Sequence, residues 1–329
     1  MQTAFLGDVV LTTPLLAALA ETDGPLDVVT TPAAAPLLET HSAVRRVIPY
    51  DKRGADRGWH GFAALARQLR AERYDLAYLP HRSFRSAALA LAARIPRRIG
   101  FRDGWRWLYT DSRPRPAGGH EVDRLLALGG QPRATTPTRR PTLGLTAADR
   151  EAADRWLAAT SITTPFAALA PGSIWGSKRW PQYTELARRL AGQGAVVLVG
   201  GREDEALALE LLAVVPAVVS ACGALTLRQS AALIGRAAVL VTNDSAPLHF
   251  AQAVGTPTVA IFGSTVPAFG FGPRGPRDQV VGVDGLSCRP CSAHGPARCP
   301  LGHHACMQTL SVEDVLRAIE RTGALHRRS

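Results

Sequence analysis

The alternation of short apolar runs with longer amphipathic segments is the feature that most limits how this chain can fold. The apolar runs lie at residues 28–29, 76–79, 166–170, 195–199, 237–241 and 258–262. Continuous apolar runs of this kind are typical of strands that are covered on both faces, as in parallel sheets. The amphipathic segments between them lie at residues 13–21, 61–73, 85–93, 182–191, 203–213, 227–234 and 247–253. Repeated strand–helix units predict an α/β fold with parallel sheets.

The length of the chain and two loop-like stretches predict two domains. At 329 residues the chain is longer than one ordinary domain. Residues 112–119 are rich in Pro, Arg and Gly, residues 131–141 are polar and rich in Thr and Pro, and residues 163–165 precede a new strand. All three stretches are typical of loops. We therefore predict two Rossmann-like domains, residues 1–150 and 151–329, with ligands beyond the C-terminal ends of the strands.

Two further helices are expected around the second domain. The first covers residues 146–160. The last covers residues 312–321, because Ser311 is a good N-cap and two acidic residues follow in the first turn. In one arrangement this last helix packs back on the N-terminal domain.

The charge balance is strongly positive and leaves two interpretations open. Lys and Arg number 38 against 27 Asp and Glu, a formal net charge of +11, and lysine occurs only at positions 52 and 178. The excess reflects either the Arg-rich composition of a GC-rich genome or an anionic partner, such as a phosphate or a membrane surface. No pattern typical of a nucleic-acid-binding module occurs, so nucleic acid is not an expected partner.

The composition also bears on location. No run of about 18 uncharged apolar residues occurs, so no membrane-spanning helix is predicted. The first residues lack a basic stretch, and the cysteines are clustered late in the chain rather than spread as in a disulfide framework. A cytoplasmic protein is expected.

The first 14 residues predict a strand, a tight turn and a helix. Gly7 permits close backbone approach in the turn, and Pro14 suits a first helical position. Asp8 lies in this strand-to-helix loop, where it is either a general base or a helix-capping residue. A normal first strand would need more apolar residues before Gln2, so either this strand is short or the natural start lies upstream.

The segment at residues 169–181 predicts a phosphate-binding loop after the first strand of the second half. Backbone amides, the Ser173 hydroxyl and the Lys178 ammonium group would together hold a phosphate. The order of residues is not that of a Walker loop. The alternative is a surface turn with a tryptophan packed beneath it.

Two other strand ends carry candidate residues. The helix beginning near Ser245 or Ala246 has free amides that attract an anion such as a diphosphate. Asp244 either caps this helix or bonds a ligand hydroxyl, and His249 is either a packed helical residue or a ligand contact. In the loop at Gly200, Glu203 is a candidate for a ribose hydroxyl, although acidic first turns are also ordinary helix chemistry.

Four late cysteines, Cys288, Cys291, Cys299 and Cys306, leave two interpretations open. Four thiols can bind a metal ion tetrahedrally, but their spacing matches neither a zinc ribbon nor a ferredoxin, so reduced structural thiols are the alternative. An Asp-x-Asp pair, a Gly-x-Ser-x-Gly elbow and a Gly-x-Gly-x-x-Gly opening a helix are all missing from the sequence. A metal held by such a pair, a serine hydrolase and a dinucleotide oxidoreductase are therefore disfavoured.

Taken together, these segments resemble the ADP-heptose:lipopolysaccharide heptosyltransferases, glycosyltransferase family 9. The resemblance is carried by GDVVLTTPLL at 7–16, APGSIWGSKRWP at 170–181, TNDSAPLHFAQAVGTPTVAIFGSTVP at 242–267 and CPLGHHACM at 299–307. These four segments occur in the family order and extend over nearly the whole chain. The last one, with FGSTVP, looks more like the heptosyltransferase II branch.

The resemblance implies a GT-B fold, in which two Rossmann-like domains face each other across a cleft. It implies transfer of heptose from ADP-heptose, held by the C-terminal domain, to a lipid A–Kdo core acceptor that meets the N-terminal domain. The transfer would invert the anomeric centre and require no metal cofactor. It further implies peripheral association with the inner face of the cytoplasmic membrane. The alternatives are another GT-B sugar transferase, a nucleotide-sugar epimerase, or a non-catalytic nucleotide-sugar-binding module.

The resemblance also implies roles for individual residues. Asp8 would be the general base, with Gly7 in the acceptor loop. The donor would be bound by Ser173, Lys178, Glu203, Asp244, Ser245, Ala246 and His249. Many family members have Gly where this chain has Ala246, so the approach of a phosphate to the backbone is tighter here.

Overall fold

The computed structural model describes residues 1–130, 139–162 and 165–324. The chain divides into two compact units, Met1–Gly144 and Leu145–Ser329, where the sequence predicted a boundary after residue 150. Of the predicted loops, residues 131–138 and 163–164 lie outside the described residues.

The first unit consists of five helices and five parallel strands among the residues described. Its helices are α1 (Leu6–Asp23), α2 (Ala35–Leu38), α3 (Gly58–Ala71), α4 (Phe84–Ala92) and α5 (Glu121–Leu128). Its strands are β1 (Leu26–Thr30), β2 (Val44–Pro49), β3 (Leu76–Leu79), β4 (Arg97–Phe101) and β5 (Asp111–Arg113). They form two separate sheets, ordered β1-β2 and β3-β4-β5, instead of the single predicted sheet.

The first helix differs from the sequence prediction. We expected a strand and a loop before a helix starting at residue 13, but α1 begins at Leu6 and contains Pro14 in its interior. Proline lacks the N–H that would bond the carbonyl group four residues earlier, that of Val10. The Thr13 hydroxyl donates to this carbonyl oxygen at 2.8 Å instead, which lets the helix pass through the proline.

The second unit has one six-stranded parallel sheet. Its strands are β6 (Phe166–Ala170), β7 (Ala195–Leu198), β8 (Val219–Ser220), β9 (Val239–Asn243), β10 (Thr258–Ile261) and β11 (Gln279–Val281). Their order is β11-β10-β9-β6-β7-β8. Every residue of β6, β9 and β10 is buried, as the apolar runs predicted.

Seven helices of the described residues surround this sheet. They are α6 (Ala147–Ala159), α7 (Tyr183–Ala191), α8 (Glu205–Val214), α9 (Leu227–Ile234), α10 (Ala246–Val254), α11 (Ala305–Gln308) and α12 (Val312–Arg321). Helix α6 packs on α9, where Arg228 bonds Asp149 at 3.0 Å, so it belongs to this unit. The last helix, α12, buries Val315 and Ile319 in the core of this unit against β10 and β11. Over the described ranges, no helix has both the length and the apolar character needed to cross a membrane.

Candidate functional site

The carboxyl ends of three neighbouring strands bring polar side chains together in the second unit. Strands β6, β9 and β10 are adjacent and parallel, so the loops that follow them emerge at one edge of the sheet. The first loop carries Lys178, the second carries Asp244 and the third carries Thr265.

These three side chains form a buried cluster, which we call the Lys178–Asp244–Thr265 cluster. The Lys178 ammonium group donates to Oδ2 of Asp244 at 2.6 Å, and the Thr265 hydroxyl donates to the same oxygen at 2.7 Å. The side chains of Lys178 and Asp244 are each 10% exposed. A buried carboxylate needs both a countercharge and hydrogen bonds, and this cluster supplies both.

Asn243, the last residue of β9, fixes the loop that carries Lys178. Its Nδ2 donates to the carbonyl oxygen of Pro171 at 2.8 Å, and its Oδ1 accepts from the backbone N–H of Trp180 at 3.2 Å. The two ends of the loop are therefore tied to the strand that precedes Asp244. The position of the Lys178 backbone is set by β9 as well as by its own strand.

A second polar contact links the loops after β6 and β10. The hydroxyl groups of Ser177 and Ser264 lie 2.9 Å apart, and both residues are buried. Sequence reasoning missed Thr265, Ser264, Ser177 and Asn243 as site residues. For Ser264 and Thr265 the available signal was the polar stretch directly after the last long apolar run, in the segment FGSTVP.

Helix α10 begins directly after the Asp244 loop. Its first residue is Ala246, and the preceding Ser245 makes no side-chain capping bond to the helix in the described structure. The Ser245 hydroxyl instead lies 3.4 Å from the Asn243 carbonyl oxygen. The start of α10 therefore keeps the partial positive charge of a helix N-terminus beside the Lys178–Asp244–Thr265 cluster.

His249 lies buried on the first part of α10. Its Nδ1 is 3.3 Å from Oε1 of Gln252, and its ring contacts Phe271 edge-on at 6.5 Å between centroids. Burial lowers the pKa of His249, the Gln252 bond and the Asp244 carboxylate oppose this shift, and the Lys178 charge adds to it. The packing agrees with the interpretation of His249 as a packed helical residue.

Ser173 and Glu203 occupy different surroundings. Ser173 is buried in the loop after β6, where its hydroxyl oxygen accepts from the Trp175 N–H at 3.3 Å. Glu203 is exposed in the short turn Arg202–Asp204 after β7. The acid that lies against the Ser173 loop is its neighbour Asp204, since a Cβ added to Gly172 would meet Asp204 Oδ1 at 2.0 Å.

The sequence analysis did not single out Asp204, because Glu203, Asp204 and Glu205 all fit the pattern of an acidic residue after a strand. Its Oδ2 accepts from the Gly201 N–H at 3.0 Å. Burial raises the pKa of Asp204, and the neighbouring Glu203 charge adds to this shift. The role of Glu203 as a nucleoside contact remains a prediction.

In the first unit, Asp8 lies inside α1 and not in a loop, which corrects the sequence prediction. Its Oδ2 accepts from the Phe5 N–H at 3.2 Å, so the carboxylate caps the helix that it belongs to. Asp8 is half-buried, and Gly7 is buried in the same turn. The capping interpretation is thus confirmed, while the role of general base is a separate chemical question.

The late cysteines are free thiols. Cys299 accepts from the His304 N–H at 3.4 Å, which lowers its pKa, whereas burial raises the pKa of Cys291 and Cys306. Within the described residues, no three His, Cys, Asp or Glu side chains converge as they would around a metal ion. Metal binding and reduced structural thiols both stay predictions for these four cysteines.

The comparisons with known proteins agree with this picture. The family model described as glycosyltransferase family 9 (heptosyltransferase) matches residues 62–299. Lipopolysaccharide heptosyltransferase 2 of Salmonella typhimurium is 34% identical over 223 residues, which is 62% of this chain and 64% of that relative's length. The Escherichia coli K12 protein of the same name gives the same figures.

Two solved structures resemble the chain over nearly its whole length. The E. coli ADP-heptose lipopolysaccharide heptosyltransferase II matches with a TM-score of 0.79 and 26% identity, over 98% of this chain and 97% of that one. A family 9 glycosyltransferase of Veillonella parvula matches with a TM-score of 0.84 and 23% identity, over 98% and 95% of the two chains. The predicted α/β fold of the GT-B class and the family resemblance are both confirmed.

Proposed function

The chain belongs to glycosyltransferase family 9, and we propose that it transfers heptose from ADP-heptose to the inner core of lipopolysaccharide. Relatives at 34% identity are lipopolysaccharide heptosyltransferases, and the similar E. coli structure is an ADP-heptose heptosyltransferase. The observation that carries the proposal is the buried Lys178–Asp244–Thr265 cluster beside the start of α10.

We assign the binding site of the donor diphosphate to the Lys178–Asp244–Thr265 cluster and the adjacent start of α10. An ammonium group has three N–H donors, and the bond to Asp244 uses one of them. The remaining Lys178 donors and the amides at the start of α10 are suited to a diphosphate. Negative charge builds on ADP as the glycosidic bond breaks, and these positive groups would stabilise it without a divalent metal. Asp244, held by Lys178 and Thr265, would bond a hydroxyl of the donor sugar.

We assign the role of general base to Asp8. The acceptor hydroxyl would attack C1 of the heptose, and Asp8 would take its proton as the new C–O bond forms and the bond to ADP breaks. An attack opposite to the leaving diphosphate inverts the anomeric centre through an oxocarbenium-like transition state. The sequence position of Asp8 in the family segment at residues 7–16 and its half-buried carboxylate support this role.

The reaction is tested with purified protein, an inner-core acceptor and a choice of donors. ADP-heptose is expected to give a product heavier by one heptose residue, detected by mass spectrometry, with release of one ADP. ADP-glucose and UDP-sugars are expected to react far more slowly. Transfer from a UDP-sugar would instead identify another sugar transferase, and ADP binding without transfer to any core acceptor would identify a binding module.

We further propose that the protein associates peripherally with an anionic membrane surface through its first unit. Phe84, Trp105 and Trp107, the aromatic cluster, have rings 4.9–6.1 Å apart and are 49%, 37% and 68% exposed. The exposed Arg102 and Arg106 adjoin these residues in sequence. Aromatic rings beside arginines suit the interface of a bilayer with anionic lipids, and the net charge of +11 has the matching sign.

Vesicle flotation tests this surface. Trp107→Ser is expected to weaken binding to phosphatidylglycerol-containing vesicles by about tenfold, because burial of an indole ring stabilises the bound state by more than about 1.4 kcal/mol. The matched control is Leu209→Ser, since Leu209 is 66% exposed on α8 of the second unit. Equal loss of binding in both variants, or no loss in either, would contradict the proposed surface.

A further inference from the structure

The loop after β10, which carries Thr265, is held at its backbone by residues that follow β11. The guanidinium group of Arg289 donates to the carbonyl oxygen of Phe262 at 3.0 Å and to that of Thr265 at 3.2 and 3.3 Å. The backbone N–H of Cys291 donates to the carbonyl oxygen of Ser264 at 2.9 Å. Three carbonyl groups of this short loop are therefore bonded by residues 289 and 291.

The space for the guanidinium group depends on a glycine. A Cβ atom at Gly282, directly after β11, would lie 2.5 Å from the Phe262 carbonyl oxygen and 3.0 Å from Nη2 of Arg289. The half-buried Arg289 side chain also donates through Nη1 to the carbonyl oxygen of Val283, the next residue. It therefore joins the backbone that follows β10 to the backbone that follows β11.

An arginine suits these partners better than a lysine does. Its planar group presents five N–H donors in a rigid fork, which can reach several carbonyl oxygens at once. Here the fork bonds the carbonyl oxygens of Phe262, Thr265 and Val283, which belong to two separate loops. The ammonium group of a lysine is a compact point charge with three donors. It would not hold all three carbonyl groups in fixed positions.

The backbone of Thr265 determines where its hydroxyl group points. Threonine is β-branched, so its χ1 angle has few accessible rotamers once the backbone is fixed. The Thr265 hydroxyl donates to Oδ2 of Asp244 at 2.7 Å, and both residues are buried. A shift of the Thr265 carbonyl group would therefore move the hydroxyl group away from the carboxylate.

We propose that Arg289 is a positioning residue for heptosyl transfer. It fixes the Thr265 backbone, the Thr265 hydroxyl fixes the Asp244 carboxylate, and Asp244 orients the donor sugar for attack at C1. The inference rests on the proposed function, because it requires that Asp244 bonds a hydroxyl of the donor sugar. The diphosphate is assigned to Lys178 and the start of α10, so Arg289 should affect turnover rather than ADP affinity.

The first test compares Arg289→Met with Arg317→Met. Methionine keeps much of the length of the side chain but has no N–H donor. Arg317 is the matched control, because it lines the same cavity of about 450 Å³ as Arg289 but bonds Asp314 within α12. We expect Arg289→Met to lower kcat by about 10–100-fold and to change the dissociation constant of ADP by less than about twofold. Arg317→Met should retain both values.

A double-mutant cycle distinguishes positioning from a general loss of structure. Thr265→Val removes the hydroxyl group but keeps the β-branched shape. Because Arg289 acts through this hydroxyl group, adding Arg289→Met to Thr265→Val should lower kcat by less than about twofold further. Fully additive losses in kcat would overturn the proposal, since Arg289 would then act by another route. A wild-type kcat in folded Arg289→Met would overturn it as well.

A crystal structure of the variant gives a readout that does not depend on activity. In Arg289→Met the distance from the Thr265 hydroxyl to Oδ2 of Asp244 should exceed about 3.5 Å, beyond hydrogen-bond range. A distance that stays at 2.7 Å would overturn the proposal even if kcat falls. A wild-type protein that transfers no heptose would contradict the proposed function, whereas this distance would still test the positioning role.

Arg289→Lys takes the place of Arg289→Met in all these measurements if the methionine variant does not fold. It keeps the positive charge but lacks the planar fork, so we expect kcat to fall by roughly three- to tenfold with ADP affinity unchanged. Wild-type kcat in Arg289→Lys would show that the charge alone is sufficient. That result would overturn the role proposed for the fork.

Discussion

The starts of α1 and α10 place the same kind of residue in different settings. At the start of α1, the Asp8 carboxylate accepts from the backbone N–H of Phe5, three residues away. At the start of α10, the Asp244 carboxylate accepts from Lys178 and Thr265, which are 66 and 21 residues away. One carboxylate serves its own helix, and the other connects three loops. The position of an aspartate at the start of a helix therefore does not reveal its role. The role follows from the groups that its carboxylate bonds.

The only two lysines of the sequence repeat this contrast. Lys178 is paired with a carboxylate, whereas the Lys52 ammonium group donates to neutral oxygens of Thr3, at 2.7 Å to the carbonyl and 3.2 Å to the hydroxyl. Burial lowers the pKa of Lys52, and the charges of Arg53 and Arg85 lower it further. A cation is thus held by its countercharge in the second unit and by neutral dipoles in the first.

The largest expected effect is on catalysis, through Asp8. In Asp8→Asn the amide oxygen still accepts from Phe5, so α1 should keep its start, but the side chain no longer accepts a proton. We expect kcat for heptosyl transfer to fall by about 10²–10⁴-fold with ADP affinity unchanged. Asp23→Asn, at the other end of the same helix, is the control and should retain activity. Normal turnover in Asp8→Asn would show that the carboxylate only caps the helix.

The second effect is on stability and donor affinity, and it separates the two lysines. Lys178→Met leaves the Asp244 carboxylate buried without its cation, so we expect a loss of about 3–5 kcal/mol in the free energy of unfolding and weaker ADP binding. Lys52→Met removes bonds to neutral oxygens and should cost about 1 kcal/mol. Urea unfolding and calorimetric titration with ADP measure both quantities.

A double variant sharpens this comparison. Lys178→Met combined with Asp244→Asn removes both buried charges and should recover much of the stability without recovering ADP affinity. Equal losses of unfolding free energy in Lys178→Met and Lys52→Met would contradict this account. They would show that the Lys178–Asp244 ion pair stabilises the protein no more than the bonds from Lys52 to neutral oxygens do.

The smallest effect is the pH dependence of stability, which involves one buried histidine in each unit. Burial lowers the pKa of both His249 and His41 from 6.5, so the unfolded chain binds protons more readily than the folded one. The contribution of these two histidines to stability should therefore be constant above about pH 7 and fall as the pH drops below 6.5. Each histidine contributes at most about 1.4 kcal/mol per pH unit.

Asparagine variants distinguish the two histidines. His249→Asn should flatten the pH dependence of urea unfolding in the second unit, and His41→Asn should do so in the first. The His41 ring bonds the Thr142 hydroxyl at 2.9 Å, while the Asp244 carboxylate partly offsets the shift at His249. No change of slope in either variant would contradict this account.

Local sequence patterns predicted most of the second unit. The predicted strand at 166–170 and the predicted helices at 227–234 and 312–321 agree with β6, α9 and α12 residue for residue. These elements have apolar periodicity and good caps, such as the Thr226 and Ser311 hydroxyls that accept from Gln229 and Asp314. Periodicity and capping are short-range properties, so a single sequence suffices to recognise them.

The first helix shows where this reasoning fails. The rule that proline opens helices placed the start of α1 seven residues too late, because a threonine hydroxyl takes the place of the lost backbone bond at Pro14. Strands β2, β4 and β5 were also not predicted. Strands β2 and β4 each contain two arginines, and β5 has only three residues. Strands of this composition lack the continuous apolar run on which the prediction depends.

The sequence by itself determined the α/β class, four of the six strands of the second unit's sheet and the family, because these depend on short patterns and on motif order. Only the tertiary structure decided that Lys178 and Asp244 form a pair, that Thr265 completes the cluster and that Asp204, not Glu203, lies against the Ser173 loop. The same holds for the division of the first unit into two sheets. Contacts between residues far apart along the chain produce no periodic pattern in the sequence. They can be identified only from the tertiary structure, in which the strands lie side by side.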